Sequence, residues 1–305
     1  MKKILLGLGF ATLVATNALA GTIETPFTIL VGEPSWLAES QSIARALDHE
    51  STLRVMPVVG AGSVQAVQDL QQFSLINAAL ITADSAAYVR AQNIGDVDGD
   101  KISYVTAIKP LPVLLVARKG INNITALAGK KVATGPADSA SFATGELLFG
   151  ALGVPFTRVA QAQEKALDAL VQGKADAALV LGTPLNLERL NGANFHLLPL
   201  VVPQELADTY QPAKLSAHEA PGLVSAGQQV ETVSTQLILA VNETSTSADQ
   251  RKILKTFEAE LFKQLGPSLG NPTQDNVPGL AREANAAQLA KSLAPITIIP
   301  TGAKP

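Results

Sequence analysis

A two-lobed α/β protein, with a pair of strands crossing between the lobes as hinges, is the fold class this sequence predicts, and three observations predict it. The stretch Leu53–Tyr88 reads as strand, helix, strand, the unit that builds a parallel sheet. About a hundred residues later a similar helix-to-strand step recurs, where Ala175-Asp176-Ala177-Ala178-Leu179-Val180 mirrors Ile76-Asn77-Ala78-Ala79-Leu80-Ile81. Two apolar runs, Ile102–Ala117 and Thr235–Val241, carry no helix of their own and read as the paired hinge strands. The division that follows puts 21–114 with 236–305 in one lobe and 115–235 in a second, inserted lobe, with 1–20 removed.

The leader is the strongest local signal. Lys2 and Lys3 form a basic start, Ile4 to Ala15 an apolar stretch, and Ala18-Leu19-Ala20 a small-x-small cleavage pattern, so cleavage is expected after Ala20. The apolar stretch falls short of the roughly 20 residues of a membrane span. With no cysteine, the chain has neither a disulfide scaffold nor a lipid-modified cysteine, and the mature protein is expected free in the periplasm. Its 305 residues, 47% hydrophobic and 16% charged, suffice for a large core. Losing Lys2 and Lys3 leaves 21 basic against 26 acidic side chains, and aromatics are 4%, so the basic and stacking surfaces of a nucleic-acid binder are missing.

In chain order, Phe27–Val31 reads as a strand that Gly32-Glu33-Pro34-Ser35 breaks, and Trp36, Ile43 and Leu47 then recur at helical spacing. Leu53–Val59 is an apolar, β-branched run of buried-strand type. Gly60-Ala61-Gly62-Ser63 permits a tight turn, with Ser63 as N-cap of a helix that turns Val64, Val67 and Leu70 inward. Ala78–Thr82 is a buried strand ending at Asp84 and Ser85. Asp96-Val97-Asp98-Gly99-Asp100 resembles part of a calcium loop but lacks its closing Glu, so it reads as a surface turn. The first hinge run is expected to break at Lys109-Pro110.

In the inserted part, Leu127 to Lys131 leads into a strand at Val132–Thr134. Gly135-Pro136-Ala137-Asp138-Ser139 ends that strand, and a helix runs from Ser141 to Leu152. Glu164–Gln172 is a helix with Leu167, Leu170 and Val171 inward. Gln204–Val230 reads as irregular, Ala248–Leu265 as a helix, and the proline-containing tail from Asn271 as a surface wrap.

Catalytic motifs fail in turn: GAGSVQ lacks the third glycine of a dinucleotide fingerprint, GKKV lacks the Ser or Thr of a phosphate loop, and no GxSxG occurs. His49, His196 and His218 have no metal-ligand spacing, so no catalytic residue, metal or cofactor is assigned. What the chain offers is polar residues at strand ends. Ser35 and Trp36 follow the first strand, Gly62 and Ser63 the second, and Thr82, Asp84 and Ser85 the third. In the other lobe Ser139, Ser141 and Thr144 start a helix, and Gly182-Thr183-Pro184 ends a strand. Each alone is an ordinary cap or turn; together, on facing edges of two lobes, they predict a cleft for a small anion, a carboxylate above all. Lys109, Arg118 and Arg90 are the candidate counter-charges.

Three blocks, GAGSVQAVQDLQQFSLINAALITADSAAY, INNITALAGKKVATGPADSASFATGELLFGALGV and ETVSTQLILAVNE, resemble the TAXI family, solute receptors of a class of TRAP transporters. The resemblance spans about Phe27 to Leu265. It implies a type II periplasmic binding protein, a monomeric Venus flytrap without catalytic activity, which delivers a small organic acid or amino acid, glutamate or 2-oxoglutarate in kind, to the membrane permease subunits. On this reading Ser63 and its neighbouring amides hold one end of the ligand, Ser139 and Ser141 the other, and Trp36 forms an apolar wall. The chain departs from the family in two places: Gly32-Glu33-Pro34-Ser35-Trp36 replaces a Gly-rich, Tyr-containing first loop, and Asp138-Ser139-Ala140-Ser141 stands where GSGT is usual. Glu33 and Asp138 add negative charge at the cleft mouth, which argues against a dianion held in the usual way or for a more polar, partly cationic ligand. Alternatives are a receptor for an ABC importer or a signalling system, a degenerate receptor with an interaction role, and an enzyme like the thiamine-pyrimidine synthases. That last chemistry needs a cysteine-bearing iron site.

Overall fold

The computed structural model describes residues 25–48, 53–96, 98–182, 187–190, 194–243, 247–266 and 276–293. The leader with its cleavage pattern, and Thr183, lie outside them. The chain runs β1 (Thr25–Val31), α1 (Leu37–Leu47), β2 (Leu53–Val59), α2 (Ser63–Gln72), β3 (Ala78–Thr82), α3 (Ala83–Gln92) and β4 (Ile102–Arg118). It continues with β5 (Lys131–Thr134), α4 (Ala140–Ala151), β6 (Thr157–Ala160), α5 (Gln163–Val171), β7 (Ala177–Leu181) and β8 (Phe195–Leu197). The last elements are β9 (Gln211–Ser216), β10 (Gln229–Asn242), α6 (Ala248–Leu265) and α7 (Ala284–Ser292).

The strands follow the order β2-β1-β3-β10-β4-β7-β5-β6, with β8 beside β4 and β9 beside β10. The fold is the predicted two-lobed α/β arrangement. In the first lobe β1 lies between β2 and β3, all parallel; in the second, β5 lies between β6 and β7, again all parallel. β4 and β10 run antiparallel to each other and join the halves. Leu237–Ala240 of β10 pair with β3, while its Gln229–Ser234 pair with β9; β4 reaches β7 through Val113–Ala117. No helix among the described residues is long and apolar enough to cross a membrane.

β3 and β7 are buried along their whole length, as their uninterrupted apolar runs require in the middle of a sheet with helices on both faces. α2 turns Val64, Val67 and Leu70 into the first lobe's core, as expected, and Ala143 of α4 packs into that same cluster from the second lobe. β2 corrects the buried-strand reading. It stands at the end of the order, with one neighbour among the described residues, and Met56, Val58 and Val59 are over 40% exposed. Pro57 fits that edge position, where a missing N–H costs no ladder bond.

β4 does not break at Lys109-Pro110. Pro110 stands opposite Gln236 and Pro112 opposite Ser234, in the stretch before β7 joins at Val113, so among the described residues no strand lies on the other side to need a donor. The β4–β10 register shifts between Leu237 and Ile238 and between Leu239 and Ala240, where Ile108 and Val105 of β4 are the extra residues. Three further readings change. Asp84 and Ser85 begin a helix, α3, rather than a loop; β9 lies within the stretch expected to be irregular; and α7 within the tail expected only to wrap. Val171, expected inward, is the last residue of α5 and 48% exposed, while Leu167 and Leu170 are buried.

Candidate ligand-binding site

Gly32, the first residue after β1, sets the geometry. Its N–H donates to the Leu80 carbonyl at 2.9 Å, and a Cβ there would sit 2.8 Å from that oxygen and 2.9 Å from Ser63 Cα. Only glycine lets the chain pass so close, and the passage brings Glu33 to the start of α2.

Glu33 then reaches from the first lobe to the second. Its Oε1 accepts from Ala140 N at 2.8 Å, at the first turn of α4, and the carboxylate also accepts from the Ser63 amide at the first turn of α2. One carboxylate therefore sits on the N-termini of two helices, one from each lobe, where unpaired N–H groups and the helix dipoles favour an anion. Burial pushes the Glu33 carboxyl from 4.5 up to about 7; the two amides pull it down and the negative charge of Glu164 pushes it further up.

The second lobe returns the contact. The Asp138 carbonyl accepts from Val64 N at 2.8 Å and from Gln65 N at 3.4 Å, and so caps α2. A Cβ at Gly62 would overlap that carbonyl, so the closed contact requires glycine there.

The serines act beneath this layer. Ser63, expected as N-cap, is the first helical residue; Gly62 is the cap, and the buried Ser63 hydroxyl accepts from Thr82 N at 3.0 Å. Ser139 does cap α4, accepting from Phe142 N at 3.2 Å and donating to Pro136 O at 2.7 Å. Ser141 accepts from Gly135 N at 3.0 Å, and Ser85 pairs with the Thr82 hydroxyl at 2.7 Å. All four are buried, and their hydroxyls fix the loops on which the two helix N-termini rest. Ser35 is exposed on the 3-10 turn Pro34–Trp36, and Trp36, only 3% exposed, lies in the core with Val31 and Ile43.

Asp84 forms a second, deeper bridge and is fully buried. Its Oδ2 accepts from the Thr144 hydroxyl of α4 at 2.5 Å and from the Tyr210 hydroxyl at 2.8 Å, and its N–H donates to the Thr235 hydroxyl of β10 at 3.3 Å. Its Oδ1 has no partner among the described residues. Burial first, and the Asp84 charge second, push the Tyr210 phenol well above its usual 10, so it stays a donor. Nothing local in the sequence marks Tyr210, which lies in the stretch read as irregular.

The three counter-charges are engaged elsewhere. Lys109 pairs with Glu39; Arg118 donates to the Leu170 and Ala175 carbonyls and lies over Phe195; Arg90 donates to Gly279 O at 3.1 Å and lies 3.8 Å from Asp100. Neither Glu33 nor Asp84 has a lysine or arginine partner among the described residues. The site is thus a set of amides and hydroxyls, each paired within the protein, around two carboxylates, with Asp84 Oδ1 left without a partner among the described residues.

The profile of a family described as NMT1-like matches residues 34–276. Among solved structures, MatC from Rhodopseudomonas palustris with bound malate is similar over 87% of this chain and 95% of its own, at 19% identity and a TM-score of 0.50. A TctC solute binding protein from Polaromonas, without ligand, aligns over 88% and 94% at 15% identity and TM-score 0.47. The GluR0 ligand-binding core from Nostoc punctiforme with L-glutamate aligns over 82% and 99% at 15% identity and TM-score 0.46. No curated protein matches the sequence.

Proposed function

The chain belongs to the NMT1-like family and has the type II periplasmic binding fold, and from that premise we propose that it is an exported solute receptor for a small organic acid or amino acid. The observation that carries this reading is the meeting of two helix N-termini, α2 from one lobe and α4 from the other, where the lobes joined by β4 and β10 touch. Bound malate in the similar MatC structure supports the solute class. The lobes we assign are 21–114 with 236–305, and 115–235, and the ligand-binding set we propose is Ser35, Trp36, Gly62, Ser63, Asp84, Ser85, Ser139, Ser141 and Thr183, the buried members acting through the loops they hold. Delivery to TRAP permease subunits, on the TAXI resemblance, is the transport route we favour, with the receptor a periplasmic monomer without catalytic activity.

The test is a thermal midpoint of residues 21–305, stripped by unfolding and refolding, against small carboxylates, amino acids and polar neutrals. A ligand at 100 times its Kd adds about 2.7 kcal/mol, a shift of several degrees. A selective shift is expected; a folded protein that responds to none of the panel contradicts the receptor reading.

A further inference from the structure

Resting on that receptor reading, we infer that Glu33 is the specificity-determining residue of the cleft: its carboxylate takes the place on the α2 and α4 amides that a ligand carboxylate would take, so the native site excludes small dicarboxylates there.

Two independent observations carry this. The first is occupancy. Glu33 already accepts from Ala140 N at 2.8 Å and from the Ser63 amide, while Val64 N and Gln65 N are taken by the Asp138 carbonyl. The donors that would greet an incoming carboxylate are therefore paired with acceptors of the protein itself. An entering carboxylate must displace Glu33 and leave it facing a second negative charge.

The second is the charge beneath. Thr144 Oγ1, whose one proton goes to Asp84, also lies 3.1 Å from Ala140 O, and Ala140 N holds Glu33. Both carboxylates are thus anchored near the N-terminus of α4, on residues four positions, or about 6 Å of helix rise, apart. Asp84 is fully buried and its Oδ1 lacks a partner, so the group the site still needs is a donor. No lysine or arginine partners either carboxylate among the described residues, so nothing offsets a further anion. Of the two solute classes proposed, this narrows the reading toward an amino acid, which can bring its ammonium to this end and hold its carboxylate elsewhere.

Titration calorimetry with malate on the native protein, Glu33→Ala and Glu33→Gln decides it. Alanine empties the position, whereas glutamine is the size of glutamate and keeps a carbonyl acceptor for Ala140 N. Glu33 lies partly exposed on a loop, and thermal unfolding checks that all three proteins are folded. The expected result is that Glu33→Ala binds malate at least tenfold more tightly than the native protein while Glu33→Gln stays within threefold of native. Malate binding to the native protein as tight as to Glu33→Ala, or no gain in Glu33→Ala, overturns the inference. The solute panel on native protein reads the receptor function separately: a solute that binds native protein while Glu33→Ala gains no malate defeats the Glu33 assignment alone.

Discussion

The two lobes repeat one plan down to a single polar residue. In the first, Asn77 stands just before β3; its Oδ1 accepts from Thr28 N at 2.8 Å, and its N–H donates to Thr28 O at 3.1 Å. In the second, Asp176 stands just before β7; its Oδ2 accepts from Lys131 N at 2.9 Å, and its N–H donates to Lys131 O at 2.7 Å. Each clamp fixes the register of a third strand against a first strand. The lobes differ in what they send across the cleft. The first sends a side-chain carboxylate, Glu33, to α4, and the second sends a main-chain carbonyl, that of Asp138, to α2. A side chain can be exchanged without moving the backbone, so the first contact can set specificity. A carbonyl cannot be exchanged, so the second contact depends on its glycine partner.

The largest effect that would break this comparison lies at that glycine. Gly62→Ala places a Cβ on the Asp138 carbonyl and is expected to hold the lobes apart, weakening binding of any solute the native protein takes by about tenfold or more. Unchanged affinity by calorimetry would show that closure does not pass through this contact.

Next is the buried bridge. Tyr210→Phe removes a hydrogen bond to a fully buried carboxylate and should destabilise the protein by about 1–3 kcal/mol in denaturant unfolding. A cost near zero would mean that Asp84 is solvated in solution.

A pH series sharpens the charge side of the comparison. Glu33 is raised to about 7, and the fully buried Glu258, between Asn285, Glu283 and Lys255, to about 8, in both cases chiefly by burial. From about pH 4.5 upward the folded state keeps protons that the unfolded state has lost. Stability is therefore expected to fall as pH rises and to level off above about pH 8. The thermal midpoint should drop by several degrees between pH 5 and pH 8, and Glu258→Gln should flatten most of that slope. A midpoint that rises over this range contradicts the assignment.

The smallest effects test the shared plan. Asn77→Ala and Asp176→Ala should each cost about 1 kcal/mol, since each removes one hydrogen bond at the edge of the core. A cost for one and none for the other would mean that the two clamps are not equivalent.

The plan was legible in the sequence because it is written in local periodicity. Ala78–Thr82, Ala248–Leu265 and the spacing of Val64, Val67 and Leu70 follow directly from apolar pattern and length. β2 was misread because an apolar run does not say how many neighbours a strand has. The break at Lys109-Pro110 was misread because a proline's cost depends on whether a second strand lies beside it. At the site, the serines and Asp84 could be picked out as polar residues at strand ends, and the sequence flagged the charge of Glu33. That Glu33 would sit on amides of both lobes, or that Tyr210 would reach Asp84 across 126 positions of sequence, is a fact of tertiary placement with no local signature.

The claim that the lobes are bridged by their own groups is tested most directly by a distance across the cleft. The chain has no cysteine, so spin labels on cysteines placed at the exposed positions Gln72 of α2 and Glu146 of α4 report one pair by pulsed electron paramagnetic resonance. Without added solute, a population at the short distance of this structure is expected, and Gly62→Ala should move it to a longer one. A single long distance in the native protein, unchanged by Gly62→Ala, would contradict it.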